Sequence, residues 1–218
     1  FFEGRQTERR LRRIQAFAEI EDEVARGVMS DYDQAIERQT LSYYRTRKEV
    51  IGSESFHPAC VGFTRDRARR LVDHYMALSM INHYGSQFDK MAEELWVDYG
   101  VDCEVLRGLG IDALRVELGR MLTERLEAVR ARFGASQFDR IEKLLVLQTS
   151  DELWVDHLSR LHDLLLSAQL CSYGHKAATA QYLFMSVEAS RRLREEVIDT
   201  FLPRLVSFAA GAQGSPGT

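Results

Sequence analysis

At 218 residues, with 45% apolar and 28% charged content, the chain is long enough to bury a core and has neither a disordered nor a membrane composition. Lys and Arg total 29 against 33 Asp and Glu, a net charge of −4, so no global positive field draws it to nucleic acid. Its 3 prolines leave a background of Glu, Arg, Leu and Ala that favours helix. Cys60, Cys103 and Cys171 are odd in number and widely spaced, which speaks against a disulfide framework or a zinc site and for a reducing compartment. The longest uncharged stretches, MALSMINHYGSQF and LLLSAQLCSYGH, fall short of the roughly 20 apolar residues that cross a bilayer. The chain opens FFEGRQTERR without Met, so processing or a longer parent is expected and the lack of a visible signal peptide decides nothing.

Residues 5–50 read as one long helix, because Leu11, Ile14, Ala18, Ala25, Val28, Tyr32 and Ala35 recur at helical steps with charge between them. GSESFHPACVG, 52–62, breaks that period and reads as a linker. A second helix is expected from Thr64 to Tyr84, with Thr64 as N-cap and Asp66 in the first turn. SQFDKMAEELWVDYG gives a shorter helix, and Gly100, Gly108 and Gly110 punctuate the connection to a helix over 112–133 that Gly134 closes.

The next helix, 136–170, carries Leu147, Trp154, Leu158, Leu161, Leu165 and Ala168 as a seam for a neighbouring helix. CSYGHKAATA loses the period, and Gly174 supplies a turn. A return helix over 181–208 presents Tyr182, Met185, Ala189, Leu193, Val197 and Phe201 on one stripe. Two such helices of roughly 25–35 residues would stand about 40–50 Å tall. The tail, GAQGSPGT, reads as disordered. The expected class is therefore all-α, with domains at 1–51, 52–134 and 135–210 and a tail at 211–218.

No catalytic site is legible. GLGID lacks the lysine of a phosphate-binding loop, and none of the six histidines follows a Glu by three residues as a di-iron bundle requires. His157 and His162, five apart, do not converge on a helix. Cys171 and His175 could supply half a metal site but have no second pair nearby in sequence, so no metal is expected. The basic runs RQTERRLRR and RDRARR, 5–13 and 65–70, read as solvated helix faces or as holds for an acidic partner. RNA binding through the same runs is a weaker alternative. Trp154 and His157 read as a buried anchor and a hydrogen-bonded histidine. Tyr173, beside Gly174 at a turn, reads either as a contact for another molecule or as a chance surface aromatic.

LQTSDELWVDHL resembles the segment that opens the two-helix finger of the SecA preprotein translocase family, with Leu147, Gln148, Asp151, Trp154, His157 and Leu158 in matching places. YGHKAATAQY is similar to the finger loop and the start of the return helix. There Tyr173 falls on the loop aromatic, Lys176 on a basic position and Tyr182 on the first aromatic of the return helix. YDQAIERQTLSYYRTR resembles the family's scaffold helix through Tyr32, Asp33, Gln39, Tyr44 and Arg47, and LTERLEAVRARF resembles the helix that leads from the wing to the finger. Gln34 stands where the family has a second acidic residue, and Ala177-Ala178 where it has Asp-Pro.

The resemblance implies a long scaffold helix, a small helical wing and an antiparallel two-helix finger. It implies that this segment couples ATP hydrolysis in motor domains elsewhere to preprotein movement through a SecY-type channel. Tyr173, Gly174, Lys176 and Tyr182 are then tip contacts. Tyr32, Asp33, Gln39, Gln148, Asp151, Trp154 and His157 are structural or coupling residues. ATP and Mg belong to the motor domains and no cofactor to this segment. The implied location is cytoplasmic, peripheral at the inner membrane, with homodimer formation left open. A free-standing helical interaction protein without a motor is the alternative.

Overall fold

The computed structural model describes residues 2–79, 84–171 and 175–211. Among them the order is α1 (Phe2–Gly52), α2 (His57–Ser79), α3 (Tyr84–Tyr99), a 3₁₀ turn (Glu104–Leu106), α4 (Ile111–Phe133), α5 (Ala135–Cys171) and α6 (His175–Gly211). No strand occurs among the described residues, so the fold is all-α as expected.

Three boundaries differ from the sequence reading, one of them Tyr84, expected to end the second helix, which instead opens α3. α2 starts at His57, inside the stretch read as a linker, because the Phe56 carbonyl accepts the Ala59 and Cys60 amides and the Ser55 hydroxyl accepts the His57 amide. Pro58 is tolerated there because first-turn amides have no intrahelical acceptor. Thr64, expected as the N-cap, is instead buried within α2, where its hydroxyl donates to the Val61 carbonyl and meets Thr123 of α4. α6 begins at His175 rather than 181, since the alanines of KAATA give no apolar contrast yet are strong helix formers. Of the tail read as disordered at 211–218, Gly211 ends α6 and 212–218 lie outside the described residues.

The chain divides into two compact units, Phe1–Thr46 with Trp154–Leu193, and Arg47–Leu153 with Arg194–Thr218. α1, α5 and α6 each supply residues to both.

The second of these units, the longer of the two, holds the larger cluster among the described residues. α4 buries Leu114, Leu118, Leu122, Leu126 and Val129, a single face at steps of three and four. α2 lies along it with Cys60, Ala68, Leu71, Val72 and Met76, and also meets α3, which brings Phe88, Met91, Leu95 and Tyr99. Phe138 and Val146 of α5 and Ile198, Phe201, Leu202 and Leu205 of α6 complete the cluster. Each fully buried large apolar side chain contributes about 2 kcal/mol. Gly100 (φ +62°) ends α3: its amide bonds Trp96 O at 2.9 Å while Val101 reaches back to Leu95 O at 3.3 Å. A polar tie crosses this unit as well. Arg67 of α2 pairs with Glu94 of α3 at 2.5 Å and with Asp199 of α6 at 3.0 Å. Tyr75 donates to Glu94, and burial with that bond pushes its phenol up to about 12.

In the other unit, among the described residues, Tyr32, Ala35 and Tyr182 form a buried cluster with Leu164 and Leu165 of α5 packed on them. The hydroxyls of Tyr32 and Tyr182 are buried without a hydrogen-bond partner among the described residues. A buried hydroxyl left unpaired costs about 1–3 kcal/mol of desolvation. Tyr32→Phe and Tyr182→Phe are therefore expected to keep or raise stability, each by up to about 1 kcal/mol. Chemical denaturation checks this, and a clear loss in either variant would mean that its hydroxyl is paired.

Candidate functional site

In the smaller unit three helices offer matching faces. α1 turns Tyr32, Ala35, Gln39 and Tyr43 the same way, at steps of three and four. α5 answers with Trp154, His157 and Leu161, all buried, and α6 with Thr179, Tyr182 and Ser186, also buried. Along this unit α5 and α6 run antiparallel, since Leu164 and Leu165 meet the Tyr182 cluster while the earlier His157 is joined through Gln39 to the later Ser186.

Gln39 is the centre of the arrangement. Its Oε1 accepts from His157 Nε2 at 2.7 Å, and its Nε2 donates to the Ser186 carbonyl at 3.1 Å. One amide on α1 thus holds both α5 and α6, and the two partners fix which way the amide points. His157 is fully buried, so its bond to Gln39 is shielded from competing water. One turn further along α1, Tyr43 stacks on Trp154 with centroids 4.3 Å apart and rings 6° from parallel. Trp154 leans on His157 at 5.3 Å. At the opposite end Tyr32 and Tyr182 meet edge to face at 4.7 Å. Such aromatic pairs add about 0.5–1.5 kcal/mol each beyond buried area.

Of the residues expected from sequence, Tyr32, Gln39, Trp154 and His157 come together here. Asp33 is exposed on α1, next to the packed face rather than in it. Gln148 and Asp151 belong to the larger unit, where Gln148 donates to Glu152 and Asp151 pairs with Arg47. Tyr173 and Gly174 lie outside the described residues, as does the side chain of Lys176. Tyr182, read on the apolar stripe of the return helix and, through the family likeness, among the tip contacts, is fully buried against Tyr32, as the stripe requires.

Two participants escaped the sequence reading. Ser186 contributes a backbone carbonyl, which every residue type carries. Tyr43, not the exposed Tyr44, makes the stack on Trp154, and the tandem YY gave no sign of which ring faces inward.

A second polar joint, in the larger unit, was also missed. His57 at the start of α2 has Nδ1 2.7 Å from Glu142 of α5 and Nε2 2.9 Å from Glu127 of α4. Carboxylate oxygens at both nitrogens are satisfied together only by the doubly protonated ring or by a proton on one carboxyl group. Burial opposes the charge on His57, but the hydrogen bonds to Glu127 and Glu142 and the charge of Glu142 outweigh it and raise its pKa above 6.5. Burial also raises Glu142 above 4.5, against the opposing pull of His57. The Cys60 thiol faces the same carboxyl group, and burial pushes it well above its usual value, so it is an inert core thiol. Among the described residues no group of three or more His, Cys, Asp or Glu is arranged to hold a metal ion.

The family model described as the SecA wing and scaffold domain matches residues 2–208. The chain belongs to this family. Among its SecA relatives, the protein translocase subunit SecA of Syntrophobacter fumaroxidans is 27% identical over 199 residues, covering 86% of this chain and 23% of the relative. The SecA subunit of Geobacter metallireducens is 26% identical over 181 residues, 78% of this chain and 20% of the relative. That of Acetivibrio thermocellus is 23% identical over 184 residues, again 20% of its own length. The chain therefore spans about a fifth to a quarter of the SecA proteins it matches. Among the described residues no helix is long and apolar enough to cross a membrane.

Proposed function

We propose that this chain is the scaffold, wing and two-helix-finger portion of a SecA-like preprotein translocase, coupling ATP hydrolysis to the movement of unfolded preprotein through a SecY-type channel. ATP and its Mg ion would be held by motor domains of the parent protein. This segment carries the displacement and works from the cytoplasmic side, peripheral to the inner membrane. The observation that supports this reading best is the Gln39 clamp. A single side chain on the long α1 helix bonds both α5 and α6, so a shift of α1 acts on the pair together. The family match and the names of the SecA relatives point the same way.

In this reading residues 173–176 meet the moving chain. An aromatic there can grip side chains of any sequence, because its face offers non-directional apolar contact. The test uses the parent protein with its motor domains, reading translocated preprotein per ATP hydrolysed. Tyr173→Ala is expected to lower that ratio by about tenfold, the order expected for one well-placed aromatic contact. An unchanged ratio would overturn the assignment of the tip.

A further inference from the structure

The turn 53–56 that joins α1 to α2 is fastened by partly exposed bonds and by a buried one. Lys143 of α5 donates to the Ser53 carbonyl and, at 3.4 Å, to that of Glu54, and the Ser55 hydroxyl donates to Asp139 of α5 at 3.0 Å. Water competes for these groups and weakens them. The buried fastening is His57, the first residue of α2, held between Glu142 of α5 and Glu127 of α4. His57 is 6% exposed and Glu142 fully buried, so the bond between them is shielded from water.

This joint has a fixed proton count. A neutral imidazole has one N–H and one lone pair, and an ionised carboxylate has lone pairs only. Between two ionised carboxylates a neutral ring donates to one and sets its lone pair against the other. One added proton, on the ring or on Glu142, turns both contacts into hydrogen bonds, and its loss leaves a buried group unpaired. Burial opposes a charge on His57, but the bonds to Glu127 and Glu142 outweigh it, and burial raises Glu142, so both hold a proton to higher pH than free side chains do. The groups around the ring are Glu127 and Arg130 of α4 and Glu142 of α5, with Cys60 of α2 and Asp139 of α5 bearing on Glu142. Arg130 opposes charge on the ring and lies 4.0 Å from Asp139.

The body of α2 is held differently. Thr64 meets Thr123 of α4 at 3.1 Å, and at Gly119 of α4 an added Cβ would stand 3.8 Å from Ala68 Cβ and from Arg65 Cα. Neither contact depends on a proton in the neutral range. We infer that the shared proton is a latch: while it is bound, the turn 53–56 and the first turn of α2 are locked to α4 and α5, and its release frees them while the rest of α2 stays on α4. Because 53–56 is the covalent link between the two helices, release uncouples the end of α1 from the body of α2.

The experiment is amide hydrogen exchange of the whole chain from pH 6 to pH 9, corrected for the intrinsic pH dependence of exchange. The amides of His57, Ala59 and Cys60, bonded to Ser55 Oγ and to the Phe56 carbonyl, report the latch, and those of Leu118 and Leu122 on α4 report the core. The latch amides should open at least about tenfold more often than the core amides. Their opening should rise by about threefold or more across the range, since a proton held by the closed form alone makes opening up to about tenfold more frequent per pH unit. Glu142→Gln should flatten that rise, because its amide N–H can donate to Nδ1 while Nε2–H donates to Glu127, with no added proton. Glu127→Gln, at a half-exposed side chain where folding is not at issue, should flatten it likewise. Glu93→Gln, an exposed carboxylate on α3, should keep it. A flat profile in the unaltered chain, an undiminished rise in Glu127→Gln and Glu142→Gln, an equal loss of the rise in Glu93→Gln, or equal protection of latch and core amides would each overturn the latch.

Discussion

Glu142→Ala is expected to destabilise the larger unit by about 3–5 kcal/mol, the range for breaking a buried ion pair from one side. The carboxyl group is fully buried, it is the acceptor nearest His57 Nδ1, and it ties α5 to the start of α2. Its removal leaves His57 with Glu127 alone and opens a cavity beside Phe138, whose ring lies 6.4 Å from the imidazole. Glu142→Gln keeps the shape and loses the charge, so it should cost less than Ala while removing most of the pH dependence described next.

The groups facing His57 are Glu127 and Arg130 of α4 and Glu142 of α5, with Cys60 of α2 and Asp139 of α5 bearing on Glu142. Both shifts have one sign. His57 is raised above 6.5 and Glu142 above 4.5, so in the window above those values the folded state keeps a proton that the unfolded chain has released. Stability is then fully present below the unfolded values and falls as pH rises through the folded ones. This holds whichever partner carries the shared proton. Denaturant midpoints measured from pH 6 to pH 9 should fall in the natural sequence and flatten in Glu142→Gln; equal slopes would contradict the proton linkage.

Gln39→Leu is expected to cost about 2–3 kcal/mol, read as faster hydrogen exchange in the α5 and α6 segments of the smaller unit. Two bonds are lost together, one to a fully buried ring nitrogen and one to a main-chain carbonyl. His157→Leu removes the first bond from the other side. The double variant should therefore be less destabilised than the sum of the singles by about 1 kcal/mol, because the partners act through the same contact. Strict additivity would mean that Gln39 and His157 do not communicate.

Helix number, order and most boundaries were legible because apolar residues recur at three and four with Gly100 and Gly134 as stops. The start of α2 was not, since HPAC carries a proline and little periodicity, and its N-terminus is fixed by Ser55 and Phe56 outside the helix. In the site, Trp154 and His157 were readable as an anchor and a bonded histidine from residue type and spacing. Their partner Gln39 was reached only through family likeness, because a glutamine 118 residues away announces no pairing. The His57 joint was invisible for the same reason: its three members come from three helices, and each alone is an ordinary charged or polar residue. Tyr182 shows the opposite limit, since an aromatic beside a turn can face inward as readily as outward.

α1, α5 and α6 each contribute to two compact units, and this bears on how the polypeptide comes apart. Among the described residues of the smaller unit Tyr32, Ala35, Trp154, Leu161 and Tyr182 are buried, while Leu41, Val155, Phe184 and Val187 are on the outside. Compact units of one chain open at their own free energies rather than together. Heating would then fray α1, α5 and α6 over part of their length while the remainder of each helix stays wound. A single melting temperature would describe neither half of the transition.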